Sequence, residues 1–244
     1  MDVGSLVLLH SPLVGVESWG RLPEALARRG VPAEAVAVAG DDRPPFAERY
    51  VRGAVEGVLA LRERAGPVLA GHSRTGPVLV GHSGAGPLLA AVGTRLRAAG
   101  HPCAGYLFCD AGLPQDGASR LDLLAVEDRA MAEAFRADLE QGGRFPEWGD
   151  ADLAPLVPDP AARAALVGSL RPRGLAFFTE PLPAAAGWPD APCGFLRLSA
   201  AYDGWAATAA ARGWPTAALD AGHFHPLVDP DGLAAALLGV LTMM

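Results

Sequence analysis

The sequence predicts an α/β fold: a mostly parallel central sheet with helices on both of its faces. Two observations predict it. Short, continuous apolar runs alternate along the chain with longer segments whose apolar residues recur at helical spacing, the order expected when each strand is followed by a crossover helix. The apolar runs also lack in–out alternation, as strands covered on both faces do. The chain has 244 residues, 50% of them hydrophobic. That is enough for one large core, or for one domain carrying a smaller insertion.

Residues 5–9 (SLVLL) read as the first strand, ended by His10-Ser11-Pro12. Trp19, Leu22 and Leu26 set a helix over residues 19–29 that Gly30 stops. Residues 34–39 (EAVAVA) form a second strand, and residues 46–64 carry the apolar stripe of a strong helix: Tyr50, Val51, Val55, Val58, Leu59 and Leu61. Residues 77–91 (PVLVGHSGAGPLLAA) read as strand, tight corner and helix, with Pro87 near the first turn, where its missing N–H costs nothing. Residues 105–109 (GYLFC) are a buried strand ending at Asp110. Helices follow at 120–140 and 161–170 around an irregular stretch at 142–158. A strand at 194–198 (GFLRL), a helix at 205–212, a short strand near 215–219 and a last helix at 231–241 complete the chain. Residues 1–113 and 190–244 thus make the core. Residues 114–189 are an insertion long enough to sit over the carboxyl edge of the sheet as a helical lid.

A tandem repeat precedes the corner: GPVLAGHSRT at 66–75, then GPVLVGHSGA at 76–85. It offers two serines. Ser73 is followed by Arg-Thr-Gly-Pro-Val-Leu-Val, a poor helix, whereas Ser83 is followed by small residues and a good one. Ser83 therefore fits strand–corner–helix, and the first copy reads as a duplicated insertion in the preceding loop.

Composition excludes several functions. The formal net charge is −7 and no basic run exists, so nucleic acid is not an expected partner. No apolar run is long enough to span a bilayer. The 3 cysteines have no metal-like spacing, and reduced thiols in a cytoplasmic protein are the simplest reading. Nothing suggests a metal or organic cofactor.

A serine at the apex of such a corner is a nucleophile if a histidine reaches it and N–H groups face it. Ser83, Asp203 and His223 follow one another in the chain, each at the carboxyl end of an expected strand, where the sites of open parallel sheets lie. Asp203 also suits a helix N-cap, and Asp110, at the end of the preceding strand, is the alternative acid. The order Ser…Asp…His, together with HSPLVGVESW, GHSGAG, LSAAYD and DAGHFHPLVDP, resembles the α/β-hydrolase superfamily over nearly the whole length. The resemblance implies Ser83 as nucleophile, His223 as base and Asp203 as acid, with Gly84 as one oxyanion donor. It favours His223 over His225, because a proline, Pro230, follows seven residues after it.

This sequence departs from the family pattern in two places. Ala85 replaces the second glycine of G-x-S-x-G, a mild change. Pro12 occupies the position that usually gives the second oxyanion N–H and has none to give, which leaves Leu13 N–H, the Ser11 hydroxyl or no second donor. Ser11, Pro12, His82, Trp148 and Phe178 are candidate pocket residues. The resemblance implies an acyl-serine enzyme acting on a small acyl ester or thioester, the latter presented by a carrier protein or coenzyme A, by hydrolysis or transfer. The alternatives are lyase-type acid–base chemistry on the same three residues, or a ligand binder.

Overall fold

The computed structural model describes residues 5–65 and 76–244. Ser73 and the first repeat copy lie outside the described residues. The described strands are β1 (Leu6–Leu9), β2 (Ala33–Val36), β3 (Val78–Ser83), β4 (Gly105–Ala111), β5 (Cys193–Arg197) and β6 (Thr216–Ala218). They form one sheet in the order β2-β1-β3-β4-β5-β6, parallel at every pairing. The chain leaves β1 toward β2, then returns to the other side of β1 at β3. That reversal opens a crevice at the carboxyl ends of β1 and β3, the usual place for a ligand.

The continuous apolar runs have the cause expected of them, because each strand is covered twice. On one face Val7, Leu9, Leu79, Tyr106, Phe108 and Phe195 pack with residues of α2 (Phe46–Ala65), α3 (Leu89–Ala98) and α9 (Asp203–Ala211). On the other, Leu6, Leu8, Val78, Val80, Leu107 and Leu196 meet α1 (Leu22–Arg28) and α11 (Pro230–Met243). Alternate residues of one strand serve opposite cores, as the two-residue strand period requires.

Between β4 and β5 lie α4 (Arg120–Glu127), α5 (Arg129–Glu140), α6 (Asp150–Leu153), α7 (Pro160–Gly168) and α8 (Leu175–Thr179). The single helix expected at 120–140 is two. Asp128 is extended, at φ −147° and ψ 103°, and its side chain accepts from Met131 N–H to cap α5. The caps Ser119 and Asp159 start α4 and α7. The short α6 and α8 were not expected, since four or five residues show no helical period.

Candidate active site

β3 ends in the corner that presents Ser83. Its φ is +55°, and the only other non-glycine at positive φ among the described residues is Asp110, at +45°. Such conformations cost of order 1–3 kcal/mol and persist where the surroundings enforce them. Here small residues allow the enforcement. A Cβ on Gly86 would stand 2.3 Å from Gly112 O, and one on Gly84 2.9 Å from Ser11 Oγ. Ala85, in place of the usual glycine, is fully buried and accommodated.

The pairing of β3 with β4 slips at the same point. His82 lies opposite Cys109, but Ser83 lies opposite Ala111, so Asp110 is an extra residue bulged out of the ladder. The bulge aims its carboxylate across the carboxyl edge of the sheet. Asp110 Oδ1 accepts from Leu198 N–H at 2.8 Å and Ser199 N–H at 2.9 Å. Its Oδ2 takes the Ser199 hydroxyl and His223 Nδ1, both at 2.7 Å. The side chain has no exposed surface. Burial alone would raise its pKa. The hydrogen bond and charge of His223, then the Ser199 hydrogen bonds, outweigh burial and hold the carboxyl below its ordinary value.

This corrects the expectation for Asp203. Asp203 is the first residue of α9, its side chain is 64% exposed, and it pairs with Arg197 at 3.0 Å. Asp110, the alternative, is the carboxylate bonded to His223. In the sequence the apolar run GYLFC ends at Cys109, and a bulge that keeps the next residue in the strand has no local signature.

His223 follows β6 on the loop before α10 (His225–Val228). Its ring is stacked on His82 with centroids 4.5 Å apart, and on Tyr202 at 5.4 Å and 6°. His82 Nε2 donates to the His223 carbonyl at 3.0 Å. Burial, then the charge of His223, pushes the His82 pKa down to about 3, so this imidazole is a neutral prop. Ser83 Oγ is bonded to the Tyr202 hydroxyl at 3.4 Å and not to His223. Serine–histidine bonds in unliganded sites are often long and tighten only around substrate. Tyr202 is the residue sequence reasoning missed, although it lay inside the quoted LSAAYD.

The first loop is held from below. His10 is fully buried; Val38 N–H donates to its Nε2 at 3.1 Å, and its Nδ1 donates to Ser11 O at 2.8 Å. Leu13 N–H, the candidate second oxyanion donor, is 3.3 Å from Ser11 Oγ.

Ser83, Gly84, His82, His223, Ser11 and Leu13 line one cavity of about 490 Å³. Trp148 and Phe178 line it as expected, joined by Leu123, Met131 and Phe135 from α4 and α5 and by Phe145 from the segment between α5 and α6. Pro12 is not among its lining residues; its ring backs Gly84 instead. Of the arginines and acids near the insertion, Arg171 and Arg173 pair with Asp41, and Glu180 accepts from Ala47 N–H at 3.1 Å. Among the described residues no group of three or more His, Cys, Asp or Glu is placed to hold a metal, and no helix is long and apolar enough to cross a membrane.

No family model and no curated protein matches the chain. Solved structures do. An extracellular α/β-hydrolase from a Paenibacillus species, described as sharing structural and functional homology with tobacco salicylic acid binding protein 2, superposes with a TM-score of 0.73 at 15% identity, over 97% of this chain and 98% of that one. Polyneuridine aldehyde esterase gives 0.66 at 16% identity, over 98% and 99%. Tomato methylketone synthase I in complex with 2-tridecanone gives 0.66 at 14% identity, over 100% and 99%. The chain has the α/β-hydrolase fold.

Proposed function

We propose that this protein is an acyl-transfer enzyme that works through an acyl-serine on Ser83. One observation carries the reading: a serine held at φ +55° shares a cavity with a histidine whose Nδ1 is 2.7 Å from a buried carboxylate. Asp110 accepts a hydrogen bond from His223 Nδ1–H and so fixes the tautomer in which Nε2 is a base. His223 takes the Ser83 proton as Oγ bonds to the carbonyl carbon. It then returns the proton to the leaving oxygen or sulfur. Water, or another acceptor, reverses the sequence and frees the serine. Gly84 N–H, directly after the nucleophile, donates to the oxyanion.

The substrate we assign is a small ester or thioester with an apolar or aromatic acyl group. The cavity wall is mostly apolar; Ser11, His82, Ser83, Ser199, Tyr202 and His223 gather at the carboxyl edge of the sheet, and Arg120 and Glu127 come from α4. An apolar cover excludes water and would favour transfer to another acceptor over hydrolysis. A carrier-protein or coenzyme A thioester fits that chemistry. Three buried, unpaired cysteines agree with a cytoplasmic setting.

A fluorophosphonate should label the wild type and not Ser83→Ala, and the wild type should release p-nitrophenol from short aryl esters. Absence of both sinks the reading. Pro12 favours a second reading, lyase-type acid–base chemistry, because it removes a usual oxyanion donor. That reading expects turnover dependent on His223 with no acyl-enzyme in the mass spectrum.

A further inference from the structure

We propose that the Tyr202 hydroxyl is the second oxyanion donor of this site, standing in for the backbone N–H that Pro12 lacks. The inference rests on the acyl-serine reading. Acyl transfer at a serine needs two donors aimed at the developing oxyanion, and removing one typically costs ~100–1000-fold in rate. Gly84 N–H is one. On the other side of the site the three residues that follow Ser11 offer no free amide. Proline carries Cδ where another residue carries its amide hydrogen, and Pro12 Cδ lies 3.4 Å from the place a Cβ on Gly84 would take. A carbon therefore borders the first donor. The next amide, Leu13 N–H, faces Ser11 Oγ at 3.3 Å, and Val14 N–H donates to Ser11 O at 3.2 Å.

Tyr202 fills the gap from the 3-10 turn Ala200–Tyr202 that follows β5. Its hydroxyl is 3.4 Å from Ser83 Oγ, and the oxyanion forms one bond angle away from that oxygen. Two contacts hold the ring there. It lies parallel to the His223 imidazole, 6° apart in plane, and Tyr202 N–H donates to Ser199 O at 3.1 Å. Ser199 is itself tied to Asp110 through its N–H and hydroxyl. Nucleophile, base, acid and phenol thus share one frame. Burial raises the phenol pKa above its ordinary value, so it remains a donor at any working pH.

The step balances without net transfer from the tyrosine. Ser83 Oγ bonds to the carbonyl carbon, its proton moves to His223 Nε2, and the π pair moves onto the carbonyl oxygen. That oxygen accepts from Gly84 N–H and Tyr202 O–H. On collapse the pair returns, the bond to the leaving oxygen or sulfur breaks, and the His223 proton goes with it. Tyr202 keeps its proton throughout.

The test is a four-enzyme cycle on a p-nitrophenyl ester: wild type, Tyr202→Phe, Pro12→Ala and the double variant. Phenylalanine keeps the stack on His223, and a thermal melt checks that each variant is folded. Tyr202→Phe should lower kcat ~100-fold and leave KM within about threefold. Pro12→Ala restores an amide; it should raise kcat of Tyr202→Phe about tenfold and that of the wild type less than about threefold. Unchanged kcat in Tyr202→Phe overturns the proposal. So does a loss carried by KM alone, or the same Pro12→Ala factor in both backgrounds. Fluorophosphonate labelling separates the two levels. An unlabelled wild type removes the acyl-serine reading itself, whereas a labelled wild type with a fully active Tyr202→Phe removes only the tyrosine.

Discussion

At the scale of single residues, two aspartates compete for one role, and their surroundings decide it. Asp110 is buried and takes four hydrogen bonds, one of them from His223 Nδ1. Asp203 is 64% exposed and faces Arg197. Asp110→Asn should keep the shape but stabilise the wrong imidazole tautomer, lowering kcat by about 10⁴. Asp203→Ala should stay within about threefold of wild type, since exposed pairs contribute little. Steady-state kinetics on an aryl ester separates them, and equal effects would contradict the assignment. His82 gives a prediction in pH. Its folded pKa is depressed to about 3 by burial, then by His223. Unfolding therefore takes up a proton at any pH between about 3 and the unfolded value near 6.5. The stability this neutral imidazole contributes is complete above pH ~6.5 and falls as pH drops through that window. Between pH 7 and 5 the loss is on the order of 2 kcal/mol, and urea titrations of His82→Gln should show a smaller difference. That Ser83 and His223 share one site was legible because turn chemistry and chain order mark them locally. Which carboxylate meets His223 was not: its place depends on pairing between strands, which spacing along the chain does not carry.

At the scale of elements, the corner after β3 and the bulge in β4 are one device. The slip that projects Asp110 occurs opposite the residue that takes φ +55°. It lets the 3-10 turn Gly86–Leu88 pass close under the end of β4. Gly86 marks the tightest approach, with its would-be Cβ 2.3 Å from Gly112 O and 2.7 Å from Ala111 Cβ. Both obstacles belong to a buried strand end that cannot swing aside. Gly86→Ala should therefore cost about 1–3 kcal/mol, the range for an overpacked core, and should lower kcat by displacing Ser83. A control is Gly81→Ala, whose Cβ has side-chain atoms of Leu89, and no backbone, as its three nearest neighbours. Its thermal melt should stay closer to wild type. The strands themselves were legible because burial on both faces leaves continuous apolar runs. The helix expected at 120–140 was not read correctly, because its apolar spacing persists across Asp128 while the backbone at Asp128 is extended.

At the scale of the whole molecule, the segment between β4 and β5 supplies much of the cavity wall, and one buried charge cluster couples it to the rest of the chain. Asp41, 2% exposed, lies on the loop between β2 and α2. It pairs with Arg171 at 3.0 Å and Arg173 at 3.4 Å, both from the far end of the insertion. Arg173 is only 8% exposed and exchanges both backbone hydrogen bonds with Phe145, a residue of the cavity wall. Arg171 N–H donates to Leu13 O at 2.9 Å, which ties the first loop of the site to the same cluster. Replacing a partly exposed pair would matter little, but here removing the anion leaves Arg173 charged and buried without its ion-pair partner. Breaking such a pair from one side costs about 3–5 kcal/mol. Asp41→Ala should show that loss in urea unfolding, and Asp41→Asn, which keeps an acceptor, roughly half of it. Function should follow the docking. KM for an aromatic ester should rise about tenfold in Asp41→Ala, as the Phe145 wall and the Leu13 loop lose their anchor, while fluorophosphonate still labels Ser83. A stable Asp41→Ala with unchanged KM would mean that apolar contacts alone, such as Trp148 against Phe145 and Phe224, hold the insertion in place.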